Sequence, residues 1–129
     1  MAQVTEDVAS PASGIGEELD MVVAISNFGS IAAANDALAV VVATARSEMD
    51  EAERNRASAA WPCLARWVHR TRGVLVLFGA PVLRRLGEQF EEQSWARVDA
   101  NEAFLTYRVA LVAWLLDAEN HLARSGTRL

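Results

Sequence analysis

Apolar residues return every three or four positions over most of this chain, the period of a helix with one buried stripe. Ile15, Leu19, Val22, Val23 and Ser26 keep that spacing first. Ser13 ahead of them suits an N-cap, with Glu17, Glu18 and Asp20 near the positive end of the helix. Asn27 to Gly29 supplies turn residues, so this helix is predicted to stop there. Ser30 suits the cap of a longer second helix. Ile31, Ala34, Leu38, Val41 and Ala45 share a 3,4 rhythm on it, and Met49 and Ala52 follow within one residue. That seam is rich in alanine, which lets a neighbouring helix come close. The far end, SEMDEAERNR, is almost wholly polar and is expected to project into solvent or to meet a partner, solvation being the commoner fate of a charged run.

Pro62 suits the first turn of a third helix, where its missing N–H costs nothing. The apolar run GVLVLFGAP that follows has the composition of a strand. A lone strand has nothing to pair with, so the run is read as a buried helical continuation that stops at Gly79. Pro81 opens a fourth helix with Val82, Leu83, Leu86 and Phe90 inward. The last helix is predicted from about Val98 to Arg124. From Ala103 to Leu116 it is apolar almost all round, broken by Thr106, Tyr107 and Arg108. Such a helix is central to a core, or buried on one side and covered by a second subunit on the other. The sum is an all-α, single-domain bundle of four to five helices over residues 13–129, with long second and last helices, behind a flexible arm at residues 1–12.

Composition narrows the class. At 129 residues, 52% of them hydrophobic, the chain can fold around one core without staples. A single cysteine allows neither an internal disulfide nor a multi-thiolate zinc site, and it points to a reducing compartment, most simply a cytoplasm. The first residues are acidic where a secretory signal would be basic, and no run reaches the length of a membrane span. All twelve basic residues are arginine. A GC-rich coding sequence explains the missing lysine without invoking function.

Charge is segregated. Residues 1–53 hold ten acids and one arginine, net −9; residues 54–85 hold seven arginines and no acid, net +7; residues 86–129 are net −3. The basic segment can pair with the acidic ones inside an antiparallel bundle, face the acidic surface of a partner, or hold a polyanion. A pI near 5.0 argues against nucleic acid, whose binding domains usually have a pI above about 9. The heart of the basic segment is WPCLARWVHRTRG, residues 61–73. Turned through 100° per residue, Trp61, Leu64, Ala65, Trp67, Val68 and Thr71 fall in one arc of roughly 160°. Arg66, His69 and Arg70 fall opposite, and Cys63 lies at the border. The stretch is an amphipathic helix that packs on one side and is basic on the other.

Candidate chemistry follows from these positions. Arg66, His69 and Arg70, with Arg84 and Arg85 further on, are candidates to hold an anion or a partner's carboxylates, because guanidinium forks match carboxylates. Cys63, in the first turn of its helix near Arg66, has the surroundings that favour thiolate, but a lone border cysteine is more often a small hydrophobe. Asp117 and His121, spaced i, i+4, are a capping or surface pair before they are half of a metal site. Arg108 inside the apolar helix calls for an ion pair with Asp20, Asp36 or another inward acid. Tyr107, Leu111 and Trp114 form a stripe beside it, ordinarily core and, where exposed, an interface or ligand-facing anchor. Glu88, Glu91 and Glu92 read as a solvated face. No catalytic motif is present, and no metal or cofactor is assigned. The reading is a non-enzymatic helical interaction module, a homodimer that binds another protein with an acidic surface. A bundle holding an apolar ligand or cofactor between Trp-rich helices, and a nucleic-acid-associated regulator using residues 54–85, are the alternatives.

Overall fold

The computed structural model describes residues 19–96 and 99–127. The arm at residues 1–12, the Ser13 cap and the start of the last helix at Val98 lie outside the described residues. Five α-helices follow one another: α1 (Met21–Phe28), α2 (Ile31–Ala57), α3 (Trp61–Leu75), α4 (Pro81–Trp95) and α5 (Asn101–Ser125), with a 3₁₀ turn at Val76–Phe78 between α3 and α4. There is no strand among the described residues. The protein is an all-α single-domain bundle whose second and last helices are the long ones.

The first four helix starts have a local cause. Asp20 caps α1 by accepting from the Val23 N–H, so α1 begins at Met21, with Leu19 and Asp20 ahead of it. Gly29, in the left-handed region at φ 92°, closes α1, and the Ser30 hydroxyl accepts from the Ala33 N–H to open α2. Pro62 and Pro81 lie in the first turns of α3 and α4. The helical continuation after Gly73 tightens into the 3₁₀ turn and breaks at Gly79. At φ 96°, and with Asp20 Cβ 3.0 Å from where its own Cβ would be, Gly79 has neither the torsion nor the room for a side chain.

The core is one cluster drawn from all five helices. Ala34, Leu38, Ala45 and Ala52 form the buried seam of α2 as expected. Ile31 is 56% exposed instead, and Val42 takes the buried place assigned to the half-buried Val41. A straight helix turns 3.6 residues at a time, so a strict 3,4 count drifts off the buried line. In α1 the inward residue is Ala24, while Val22 is 80% exposed. Leu83 and Phe90 of α4 are buried, and Val82 and Leu86 are half-buried. Gly87 lets α4 press against α3: a Cβ there would meet Arg72 Cδ at 3.0 Å and Val68 Cγ1 at 3.1 Å. Aromatic edges run through the centre, with Phe90 against both Trp61 and Phe104, and Trp67 against Phe104. At the other end Phe78 stacks on Phe28 and meets Trp114 edge-on.

Candidate interaction surfaces

The α3 helix carries its apolar side inward and its cations outward. Leu64, Ala65, Trp67 and Val68 are buried, whereas Cys63, Arg66, His69 and Arg70 are exposed. Arg66 has a thiol for company, its Nη2 lying 3.4 Å from Cys63 Sγ. Arg70 is held loosely, 3.6 Å from Glu48. The Glu48 carboxylate is occupied by the Trp67 indole N–H, which donates to it at 2.8 Å. His69 Nδ1 lies 3.0 Å from Glu91 Oε1 and 3.3 Å from Arg72 Nη2. Arg72 donates to Glu91 and lies 3.5 Å from Glu88. The hydrogen bond to Glu91 raises the Arg72 pKa further and keeps its charge fixed.

Hollows lie on both sides of this ridge. Between α3 and α4 is a groove of about 490 Å³ lined by Ala65, Arg66, His69, Arg70, Glu91 and Trp95. Trp95 is 65% exposed there, an unusual position for the largest apolar side chain. Between α2 and α3 lies an apolar recess of about 250 Å³ whose walls include Val40, Val41, Ala45 and Val74. A polar recess of about 240 Å³, with Glu51, Cys63 and Arg66 in its walls, borders the same two helices. Arg70 lines all three.

Internal pairing absorbs part of the basic segment. Arg56 pairs with Glu53, Arg70 with Glu48, and Arg72 with Glu88 and Glu91. Arg54, Arg66, Arg84 and Arg85 form no ion pair among the described residues and are exposed. Arg84 and Arg85 follow Pro81 at the N-terminal end of α4, where no acid balances the positive helix end and cations are disfavoured. They are not brought to the Trp95 groove, which the other end of α4 walls. Two expectations about acids are corrected. Glu91 is not on a solvated face: its side chain is 13% exposed because Arg72 and His69 converge on it. The polar end of α2 is not free in solvent: Glu48 ties it to α3, and Glu53 and Arg56 tie it to α5.

The α5 helix is apolar on two opposite sides. Tyr107, Leu111 and Trp114 are fully buried in the core, so this stripe is not an outer contact surface. Its polar atoms are poorly served, since Tyr107 Oη and Trp114 Nε1 have no hydrogen-bond partner among the described residues. Burial pushes the Tyr107 phenol well above its ordinary pKa and keeps it neutral. Arg108 is half-buried and pairs with Glu53, not with Asp20 or Asp36. Asp20 is committed as a cap, and Asp36 is exposed. Paired with both Arg56 and Arg108, Glu53 has its pKa lowered, chiefly by the hydrogen bond from Arg56. On the far side of α5, Val109 and Leu116 are each 52% exposed, with Leu105 and Val112 half-buried between and beside them. This outer stripe was legible in the sequence from its 4,3,4 spacing, as was Trp95 from its position among polar neighbours in EQSWAR.

Asp117 and His121 diverge. Asp117 Oδ2 accepts from the Leu19 N–H at 2.8 Å, and His121 Nε2 lies 2.8 Å from Asn35 Oδ1, anchoring α5 to Leu19 ahead of α1 and to α2. No cluster of three or more His, Cys, Asp or Glu side chains suited to a metal occurs among the described residues. No single helix there is long and apolar enough to cross a membrane; α1 and α2 pass that test only together, across a 105° bend. Comparison with known proteins finds no matching family model, curated protein or solved structure.

Proposed function

We propose that this protein is a non-enzymatic helical interaction module, working as a homodimer in a reducing compartment, most simply a cytoplasm, and binding a further protein through its basic side. The outer stripe of α5 carries the reading. Leu105, Val109, Val112 and Leu116 are spaced 4, 3 and 4, which reads the same in both directions. A two-fold contact must be self-complementary. Crossing a second copy antiparallel sets Leu105 against the partner's Leu116 and Val109 against the partner's Val112. The one charge inside this span, Arg108, is neutralised by Glu53 from its own chain, so it does not repel a second copy.

The stripe is about 17 Å long at 1.5 Å per residue. Pairing on it alone belongs to the small end of interfaces, below about 1,200 Å² in total, and gives a concentration-dependent dimer. Light scattering in line with size exclusion, run over a range of loading concentrations, is the test. The expected mass rises from monomer to dimer with concentration. Replacing Val109 and Leu116 together by glutamate is expected to hold the chain monomeric with its helical circular dichroism intact. A mass that stays monomeric up to about 500 μM, well above the micromolar range of such contacts, overturns the dimer, as does a dimer that survives the double substitution.

A further inference from the structure

Gly73 has no structural reason to be glycine. It lies within α3, near its end, where each interior glycine costs about 1 kcal/mol relative to alanine. It does not have a positive φ, and a Cβ built there meets no atom of the described residues within 4 Å. Gly79 and Gly87 both answer to torsion or crowding; Gly73 answers to neither. Its place is informative. Arg66, Arg70 and Gly73 are spaced i, i+4, i+7, and with exposed His69 they make the crest of α3. At Gly73 the crest lacks a side chain and there admits the backbone of a second helix closer than any side chain would allow.

We propose that the α3 crest is the docking site for an acidic amphipathic helix of another protein, laid across Gly73 with carboxylates on Arg66 and Arg70 and an apolar side chain in the groove beside Trp95. The charge is complementary: Arg66 makes no ion pair among the described residues, and Arg70 has only a 3.6 Å contact to Glu48. The two guanidiniums start one helical turn apart, about 6 Å between Cβ atoms, which is the spacing of glutamates at i, i+4 on a facing helix. The exposed indole of Trp95 and the groove of about 490 Å³ next to it provide the apolar anchor that a short helix needs. A polyanionic nucleic acid fits less well, because a duplex carries charge along its whole length and meets the net −5 chain well beyond the crest, whereas the acidic edge of one short helix need reach only Arg66 and Arg70. This inference rests on the interaction reading above but not on the dimer, since α3 and the outer stripe of α5 are different surfaces.

The probe is a fluorescein-labelled helical peptide of about four turns with glutamates at i, i+4 along one edge, leucine along the next and alanine where it faces Gly73. A lysine-for-glutamate version and a labelled DNA duplex are the comparators. The acidic peptide is expected to saturate in anisotropy titrations and to weaken as salt is raised. Arg66→Glu with Arg70→Glu is expected to cut affinity at least tenfold, and Gly73→Leu to do so by bulk alone, both with unchanged circular dichroism. The Trp95 emission is expected to shift to the blue on binding, and Trp95→Phe to remove that shift. Should Gly73→Leu fail to fold, the charge reversal on exposed arginines still decides. The proposal is overturned by an acidic peptide that does not saturate at about 100 μM, a concentration ample for a helix-in-groove contact, by affinity indifferent to these substitutions, or by tighter binding of the DNA. Because the α5 substitutions are read by mass and the α3 substitutions by peptide affinity, failure of one reading is distinguishable from failure of the other.

Discussion

Helices α3 and α5 both contribute a full apolar face to the same core, yet their outer faces differ in kind. The outer face of α3 is cationic, with Arg66, His69 and Arg70 in water. The outer face of α5 is apolar, with Val109 and Leu116 half in water. Charge on one side of α3 declares which side is inside. On α5 nothing polar makes that declaration, and packing alone decides that Tyr107, Leu111 and Trp114 go in while Val109 and Leu116 stay out. A helix with one wet face and one dry face is positioned by solvent; a helix dry on both faces is positioned by shape and leaves an apolar surface to be used.

The largest effect that can break this contrast is on the inner side of α5. Trp114→Ala is expected to destabilise the protein by about 3 kcal/mol in a denaturant titration, at the low end of the usual 3–5 for a buried tryptophan. The low end applies because its indole N–H has no hydrogen-bond partner among the described residues, and burying such a group costs about 1–3 kcal/mol. A loss under about 1 kcal/mol, the size of a surface change, would put Trp114 outside the core. A smaller effect, of opposite sign, belongs to the outer side of α3. Gly73→Ala is expected to stabilise by about 1 kcal/mol, because helix propensity improves and nothing is crowded. A destabilised Gly73→Ala variant would mean that the fold itself requires the glycine.

The smallest effect sharpens how α5 is tied to α2. Glu53 has a lowered pKa in the folded chain, so its pairs with Arg56 and Arg108 stabilise fully above the ordinary glutamate pKa of about 4.3 and are lost as the pH falls through the folded value. Glu53→Gln is therefore expected to cost less than about 1 kcal/mol at pH 7, the Glu53 and Arg108 side chains being more than a third exposed. The gap in melting temperature between the two proteins is expected to narrow as the pH falls below the ordinary glutamate pKa of about 4.3 and to close once Glu53 is protonated in the folded chain. A gap that persists in acid would show that Glu53 acts through packing and not through charge.

Much of the fold is readable because its punctuation is local. Ser30, Pro62, Gly79 and Pro81 each act on their own turn of chain, and the helix boundaries follow from them. The inner face of α3 is readable for the reason given above. Less readable is which acid meets which arginine. Arg108 found Glu53, 55 positions away, and Glu91 was drawn under cover by Arg72 across the α3–α4 contact that Gly87 makes possible. Such pairings depend on helix crossing and register, and no window of the sequence contains both partners. Of the basic candidates, Arg66, His69 and Arg70 share one crest because a helix forces them to, whereas Arg84 and Arg85 are near in sequence and at the other end of α4.

The four tryptophans stand at graded depths: Trp114 fully enclosed, Trp67 6% exposed and bonded to Glu48, Trp61 half-covered, and Trp95 out in water. The protein thereby carries a built-in optical depth scale. A dissolved quencher reaches the indoles in order of their exposure, and an anionic one such as iodide is drawn first to Trp95 by the neighbouring guanidiniums. Loss of the iodide-sensitive fraction then reports a covered α3 crest, while any quenching of the innermost indole reports that the bundle has opened.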